Sequence, residues 1–235
     1  MCGRYTLRKT TDQIALRFDV TTVLAESSVR YNAAPSQNVA VVIASPEGRI
    51  LDTYRWGLIP SWAKDMSIGS KLINARAETV AEKPSFRTSF SRRRCLVPAD
   101  GYYEWRQDGK LKQPVFYSLM DDQLFAFAGL HDEWRTPDGE KIRTVTILTT
   151  IPNELASIAH DRMPVILDRH NEAIWLDTSS SQEHLASVLV PYDAHAMQAW
   201  PVSRRVNSAG PDDPSLVSPE LNYPQDPGSA QTSLF

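Results

Sequence analysis

The chain alternates short apolar runs with turn-forming residues, and most of these runs have the length and composition of β-strands. Residues 38–44 and 50–56 are rich in β-branched and aromatic side chains, and the turn-forming sequence SPEG at 45–48 predicts that they form a hairpin. The same pattern predicts further strands over residues 94–98, 102–106, 114–120, 124–130, 142–150, 163–167 and 202–206.

Helical patterns are fewer and shorter than the strand patterns. Apolar side chains at 14, 16 and 18 follow a capping residue and predict an amphipathic helix over residues 10–18. Further helices are predicted over residues 153–159, 170–176 and 182–189, with a shorter helical piece around 77–81. Many short strands with few helices predict an α+β fold, in which peripheral helices surround a barrel-like antiparallel β core.

The pattern changes after residue 208. Residues 209–235 contain five prolines and four acidic residues, no Lys or Arg, and no periodic apolar pattern before the last two positions. We therefore predict a folded domain over residues 1–208 and a disordered, acidic, proline-rich tail over residues 209–235.

Composition narrows the class of protein. The chain has 235 residues, of which 42% are hydrophobic and 23% charged, as expected for one globular domain with a full core. There is no apolar run of about 18 residues and no secretory leader, so we expect a cytoplasmic protein without a membrane partner, with a monomer as the default state. Two cysteines and five scattered histidines provide neither a disulfide framework nor zinc-site spacing, so no metal or cofactor is predicted. Cys95 is interpreted as a buried structural thiol.

The charge distribution is uneven. Removing the four acidic residues of the tail from the net charge of -3 leaves the body at +1. Residues 71–94 carry seven basic side chains against two acidic ones, which is consistent with a phosphate-binding face. A solvated helix face is the more common explanation of such a run.

The first residues contain the most unusual chemistry. Cys2 directly follows the initiator, and removal of Met1 would leave a free α-amine beside a thiol. An α-amine has a pKa of about 7.7 to 8.0, so a useful fraction is neutral at pH 7 and can attack an aldehyde. The tethered thiol can then add to the imine carbon and close a thiazolidine ring. The plain alternative is that Cys2 is a small residue at a frayed terminus.

Several loops are dense in residues that packing alone does not explain. They are YNAAP at 31–35, RWGLIPSW at 55–62, NARAET at 74–79, PADGYYEW at 98–105 and AHDRMP at 159–164. Together with MCGRY at the amino terminus and WPVS from residue 200, these runs closely resemble the SRAP family (SOS response-associated peptidase), whose members covalently cap abasic sites in single-stranded DNA. The resemblance implies a barrel-like antiparallel core with the processed amino terminus in a positively charged groove.

The resemblance also implies a catalytic set. Cys2 matches the family's crosslinking residue, Glu104 and His160 match its acidic and histidine positions, and Asn74 matches the asparagine that orients substrate and amine. Glu104 lies between two aromatic residues, a setting that raises a carboxyl pKa, and His160 can titrate near neutrality. We expect His160 to open the abasic sugar and Glu104 to transfer protons around the Cys2 amine. By residue type alone, His160 could equally be a capping or core residue, and Glu104 could face solvent by strand alternation.

Single-stranded DNA presents phosphates and unstacked bases to a protein. The candidate DNA-binding residues are those whose side chains suit one of these two groups. Arg4 and Arg76 lie in the matching motifs and are predicted to contact phosphates. Trp62 is a candidate for contact with bases. Pro35 is another candidate, although it could simply stiffen a turn. Trp56 ends a predicted strand and is interpreted as a core residue.

The end of the tail carries a further short pattern. Gln231, Leu234 and Phe235 resemble the pentapeptide by which bacterial replication and repair proteins dock on the DNA sliding clamp. Chance is the alternative, because a five-residue pattern is degenerate.

Two other functions are compatible with the same residues. In one, Cys2 is the nucleophile of a thiol peptidase that acts on itself or on other proteins, and is paired with His160. In the other, the protein is a non-catalytic module that binds single-stranded DNA. One extra residue ahead of Cys2 distinguishes them, because only the aminothiol chemistry requires cysteine to be the terminal residue.

Overall fold

Fourteen short β-strands form the framework of residues 2–220, the part of the chain that the computed structural model describes. The strands are β1 (Tyr5–Leu7), β2 (Val20–Val23), β3 (Arg30–Ala33), β4 (Asn38–Ser45), β5 (Gly48–Trp56), β6 (Asn74–Arg76), β7 (Arg94–Ala99), β8 (Gly101–Asp108), β9 (Leu111–Leu119), β10 (Phe125–Arg135), β11 (Lys141–Thr150), β12 (Met163–Pro164), β13 (Ile166–Leu167) and β14 (Met197–Pro201). The helices are α1 (Thr11–Arg17), α2 (Arg87–Arg92), α3 (Glu154–Ser157), α4 (Arg169–Leu176) and α5 (Gln182–Ser187). None of the helices described is long and apolar enough to cross a bilayer.

The strands form two sheets. One has five strands in the order β14-β9-β8-β1-β3, and the other runs β12-β11-β10-β7-β4-β5-β2. In the larger sheet β11 also pairs in parallel with β5, which closes β5, β4, β7, β10 and β11 into a barrel. The α+β class with a barrel-like, mainly antiparallel core is therefore confirmed.

Aromatic side chains fill the core between the sheets. The Tyr5 ring packs edge-on against Trp56, with ring centres 5.4 Å apart, and against Phe127 at 5.8 Å. Trp56 is buried, as predicted from its position at the end of a strand. Cys95 is fully buried in β7 and burial raises the pKa of its thiol, which confirms its interpretation as a structural residue.

The elements with the clearest local signals form where they are predicted. Residues 38–44 and 50–56 lie in β4 and β5, whose antiparallel register ends at Ser45 opposite Gly48. Gly48 has a φ of 126°, a conformation that glycine adopts without strain. Helix α1 begins after Thr10, which forms a capping box with Gln13.

Other predictions differ from the structure. The strand predicted over 163–167 is two short strands, because β12 pairs with β11 and β13 with β10. The strand predicted over 202–206 is wrong: Val202 forms only an isolated bridge, and a 3₁₀ helix follows over Arg204–Asn207. Residues 77–81 form turns rather than a helix, and the helix that follows is α2.

The predicted start of the disordered tail is also wrong for residues 209–220. Leu216 is fully buried against Tyr103 and Phe116. Asp212 accepts hydrogen bonds from Arg30 Nε and from the Tyr31 amide, both at 2.6 Å. One apolar anchor and a paired carboxylate thus hold a proline-rich segment that has no periodic pattern of its own. The remainder of the tail, including Gln231, Leu234 and Phe235, lies outside the described residues.

Candidate active site at the amino terminus

Strand pairing brings the amino terminus to Glu104, about a hundred positions away in the sequence. Tyr5 pairs with Tyr102 in the antiparallel β1–β8 ladder, and the Arg4 carbonyl accepts from the Tyr103 amide at 3.0 Å. Continued by two residues, this register sets residue 3 opposite Glu104. The Cys2 side chain is fully buried, and burial together with the negative charge of Glu104 raises the pKa of its thiol.

A buried aspartate from the PADGYYEW run secures this pairing. Asp100 accepts hydrogen bonds from Thr6 Oγ1 at 2.5 Å, from the Arg8 amide at 2.6 Å and from Arg8 Nε at 2.9 Å. Gly101 follows, and a Cβ there would lie 2.1 Å from the Phe116 ring, so only glycine fits. These two motif residues therefore position β1.

A cavity of about 400 Å³ connects the two predicted proton-transfer groups. It is lined by Glu104, Trp105, Lys112, His160 and Asn207. Glu104 is 3% exposed, and burial raises its pKa, with the positive charge of the amino terminus acting in the opposite direction. Burial and the amino-terminal charge lower the pKa of the partly exposed His160. The shifts move the two pKa values toward each other, which suits an acid and a base that exchange protons near neutral pH.

The environment of His160 selects one tautomer. The Arg162 amide donates to His160 Nδ1 at 3.0 Å, and Asp161 Oδ1 lies 2.7 Å from the same nitrogen. Nδ1 cannot accept from the amide and donate to the carboxylate at once, so the two contacts belong to different protonation states. Because the pKa is lowered, the neutral ring predominates at neutral pH, with Nδ1 accepting and its proton on Nε2.

An ion pair that the sequence reasoning missed joins two of the motifs. Arg162 donates to both carboxylate oxygens of Glu78, at 2.6 and 2.8 Å, and to the Thr149 carbonyl at 2.6 Å. This contact ties the His160 loop to the segment that follows β6, and it lowers the pKa of Glu78. The sequence shows an acidic residue in NARAET and a basic residue in AHDRMP, which are opposite charges. Only the fold shows that these two residues pair.

Asn74 and Arg76 lie on β6, which pairs in parallel with β11 beside this ion pair. Asn74 Nδ2 donates to the Ile73 carbonyl at 3.0 Å. Its Oδ1 is buried and has no hydrogen-bond partner within residues 2–220. Arg76 is exposed, and no described residue forms a hydrogen bond or ion pair with its side chain. Neither residue lines the 400 Å³ cavity.

Arg4 contacts the protein itself. Its guanidinium donates to Asn32 Oδ1 and to the Val206 carbonyl, both at 2.7 Å, and to the carbonyls of Asn207 and Ser208 at 3.1 and 3.2 Å. Burial lowers the pKa of Arg4. These hydrogen bonds hold residues 206–208 next to β1. Contact of Arg4 with a phosphate stays a prediction.

The two candidates for base contact lie outside the cavity. Trp62 is 60% exposed, on a loop held by Asp132, which accepts from the Ser61 amide at 3.1 Å. Asp132 pairs with Thr144 of β11, and Arg76 pairs with Thr149 of the same strand. The residue that holds the Trp62 loop therefore lies about 16 Å along β11 from Arg76.

Pro35, the other candidate, is half-buried in a turn. The residue after it, Ser36, has a φ of 71°, and the Gln37 amide donates to the Ala34 carbonyl at 3.2 Å. These contacts are those of a stiff turn, and a base contact by Pro35 stays a prediction.

Residues 1–209 match the family described as SOS response associated peptidase (SRAP). Abasic site processing protein YoqW of Bacillus subtilis is 48% identical over 92% of this chain and 99% of its own length. Abasic site processing protein HMCES of Gallus gallus is 34% identical over 83% of this chain and 68% of its own. A crystal structure of a protein from Bacteroides thetaiotaomicron has a TM-score of 0.84 at 30% identity, covering 94% of this chain and all of that one. This chain belongs to the SRAP family.

Proposed function

We propose that the mature protein begins at Cys2 and covalently captures abasic sites in single-stranded DNA through the amine and thiol of that residue. The observation that carries the proposal is the register of β1 on β8, which sets residue 3, next to Cys2, opposite Glu104, and Glu104 lines a cavity together with His160. Relatives described as abasic site processing proteins support the choice of substrate. The adduct would shield the lesion during the response to DNA damage.

The reaction has three steps. His160 donates its Nε2 proton to the ring oxygen of the cyclic hemiacetal while the hemiacetal hydroxyl passes its proton to water, which opens the sugar to its aldehyde, and His160 then regains a proton from water. The Cys2 amine attacks that aldehyde carbon, and Glu104 supplies the proton with which the hydroxyl leaves as water, so that a Schiff base forms. The thiol then adds to the imine carbon and its proton passes to nitrogen. The net change is aldehyde plus aminothiol to thiazolidine plus water.

The electrostatics of Cys2 favour this route over thiol peptidase chemistry. A peptidase cysteine attacks as a thiolate and therefore needs a lowered pKa. Burial and the charge of Glu104 act in the opposite sense on Cys2. A neutral thiol that carries its own proton to the imine nitrogen fits ring closure.

Two residues of β6 fit supporting roles. Asn74 Oδ1 is a buried acceptor without a partner in the described structure, and such an atom costs about 1 to 3 kcal/mol unless it is satisfied. An N–H of the attacking amine or a hydroxyl of the open sugar would satisfy it. The exposed Arg76 guanidinium is available to a phosphate beside the lesion.

Intact mass spectrometry tests the proposal in one measurement. The purified chain is expected to lack Met1 and, after incubation with abasic single-stranded DNA, to gain the mass of the oligonucleotide less one water. A variant with one glycine inserted between Met1 and Cys2 keeps the thiol but moves the amine, and we expect it to form no stable adduct. Equal adduct from the inserted variant, or none from the parent, contradicts the proposal, and the latter result favours a simple binding module.

We also propose that Gln231, Leu234 and Phe235 dock on the bacterial DNA sliding clamp. The two apolar side chains would fill a pocket and Gln231 would hydrogen-bond at its edge, with the preceding residues acting as a tether. The full-length protein is expected to bind purified clamp, and Leu234→Ala with Phe235→Ala to abolish binding. Equal binding by both proteins, or none by either at high micromolar concentration, removes this proposal without affecting adduct formation.

A further inference from the structure

Two side chains of the cavity take no part in the proton transfers described above. Lys112 lies on β9, and Asn207 ends the 3₁₀ helix Arg204–Asn207. Both are exposed, and neither belongs to any of the sequence motifs described above.

The orientation of the Asn207 amide follows from the hydrogen bond that its side chain forms with Trp105. Its Oδ1 accepts from Trp105 Nε1 at 2.7 Å. An indole N–H can only donate, so the amide oxygen must face Trp105 and the NH₂ group must point away from it. Within residues 2–220, that NH₂ group has no acceptor.

The backbone of Asn207 is held as well. Its carbonyl accepts from Arg4 Nη2 at 3.1 Å, and the preceding Val206 is fully buried while its carbonyl accepts from Arg4 Nη1 at 2.7 Å. The two N–H groups of Asn207 are therefore fixed in direction before any ligand binds, which lowers the entropic cost of binding.

Lys112 places a positive charge at the same cavity. Trp105 pairs with Pro114 across the β8–β9 ladder, and Lys112 is two residues from Pro114, so Lys112 and Trp105 lie on one face of the pair. No described residue forms an ion pair or hydrogen bond with its ammonium group. The positive charge of Lys112 contributes to lowering the pKa of His160, together with burial and the amino-terminal charge. Lys112 is therefore close enough to act electrostatically on the proposed reaction.

We propose that Lys112 and Asn207 form a binding subsite for a backbone phosphate of the DNA strand, next to the abasic sugar in the cavity. This subsite rests on the proposed function for its occupant. Both groups are donors only: the ammonium has three N–H bonds and the oriented amide two. Every phosphodiester offers acceptors and a negative charge, whereas base edges carry no net charge and differ in their donors and acceptors from one base to the next. The subsite would complement Arg76, which lies outside the cavity.

The test measures non-covalent affinity for single-stranded DNA that carries a tetrahydrofuran analogue of the abasic site. The analogue has no aldehyde, so binding is separated from adduct formation. Lys112→Gln is expected to weaken affinity about three- to tenfold and to reduce the slope of log K against log salt by about 0.7, the value for one phosphate contact on a single strand. Lys110→Gln is the matched control, because it removes the same charge from the same β8–β9 hairpin at a residue that does not line the cavity. The affinity of this variant for the DNA should stay within about twofold of the parent.

Asn207→Asp tests the amide separately. Aspartate keeps an oxygen for the Trp105 indole but removes the NH₂ donors and adds a repelling charge, so we expect about tenfold weaker binding with an unchanged unfolding midpoint. Inorganic phosphate should compete with the DNA in the parent and less well in Lys112→Gln.

Several outcomes overturn the subsite. Equal affinity and salt slope for Lys112→Gln and Lys110→Gln would do so, as would parental affinity of Asn207→Asp. Adduct formation on authentic abasic DNA is measured in parallel with the same proteins. No adduct from the parent, with Lys112-dependent affinity retained, contradicts the proposed function and leaves the subsite standing. Normal adduct formation with unaffected affinities removes the subsite alone.

Discussion

Cys2→Ala is expected to form no heat-stable adduct with abasic single-stranded DNA. The α-amine of the variant can still form a Schiff base, but water reverses that bond because no thiol is present to close the ring. A tethered nucleophile gains effective concentrations far above any free thiol, so we expect the heat-stable product to fall by about 100-fold or more. Denaturing gels of heated samples measure it. Borohydride, which reduces an imine to a stable amine, should restore a covalent product in the variant.

Cys95→Ala is the matched control for Cys2→Ala. Cys95 is fully buried like Cys2, and burial raises its pKa in the same way, but it lies within β7. Its replacement is expected to lower the free energy of unfolding by about 1 kcal/mol and to leave adduct formation unchanged. Equal heat-stable adduct from Cys2→Ala and the parent would show that the thiol has no part in the bond.

The parts of the fold that could be predicted are those whose signals are local. The β4–β5 hairpin joins two β-branched runs through a turn-forming sequence, and α1 begins at a capping box. Neither requires knowledge of distant residues. Short elements lack such signals: β6 has three residues and exists because β11 provides a parallel partner.

Long-range contacts explain the remaining differences at the candidate site. Arg4 has the residue type of a phosphate ligand, yet the return of residues 206–208 to the amino terminus surrounds it with main-chain acceptors. The ion pair of Glu78 with Arg162 joins residues 84 positions apart. Asn207 has no motif that marks it, and only the fold places it in the cavity with Glu104. Residue type predicted the chemistry of Cys2, but its neighbours follow from strand register.

Within residues 2–220, two buried glutamates, Glu104 and Glu172, have raised pKa values, and they differ in their surroundings. Glu172 is bound by Arg17 through two hydrogen bonds, at 2.7 and 3.1 Å, on helix α4. Glu104 lines the cavity with His160, and burial is the main cause of its raised pKa. Ionisation of the buried Glu104 carboxyl lowers the free energy of unfolding. Such a cost is typical of a residue whose role is proton transfer.

Glu104→Gln is therefore expected to slow adduct formation by about 100-fold or more and to change the pH dependence of stability. The native state binds the Glu104 proton more tightly than the unfolded chain does, so in the parent the free energy of unfolding falls as pH rises from 4.5, the ordinary value, through the raised native pKa. Glutamine carries no such cost. The variant should thus match the parent below pH 4.5 and be more stable above the native pKa, as measured by denaturant titration across pH.

Affinity for undamaged single-stranded DNA is expected to stay nearly unchanged in Glu104→Gln, because a group that transfers protons neutralises no phosphate. Glu172→Gln provides the control for burial and a raised pKa, since that carboxylate lies outside the cavity, and its adduct formation should proceed at the parental rate. Parental adduct formation by Glu104→Gln would remove this residue from the mechanism. A variant less stable than the parent at high pH would show that the ionised carboxylate makes a favourable contact that outweighs its burial.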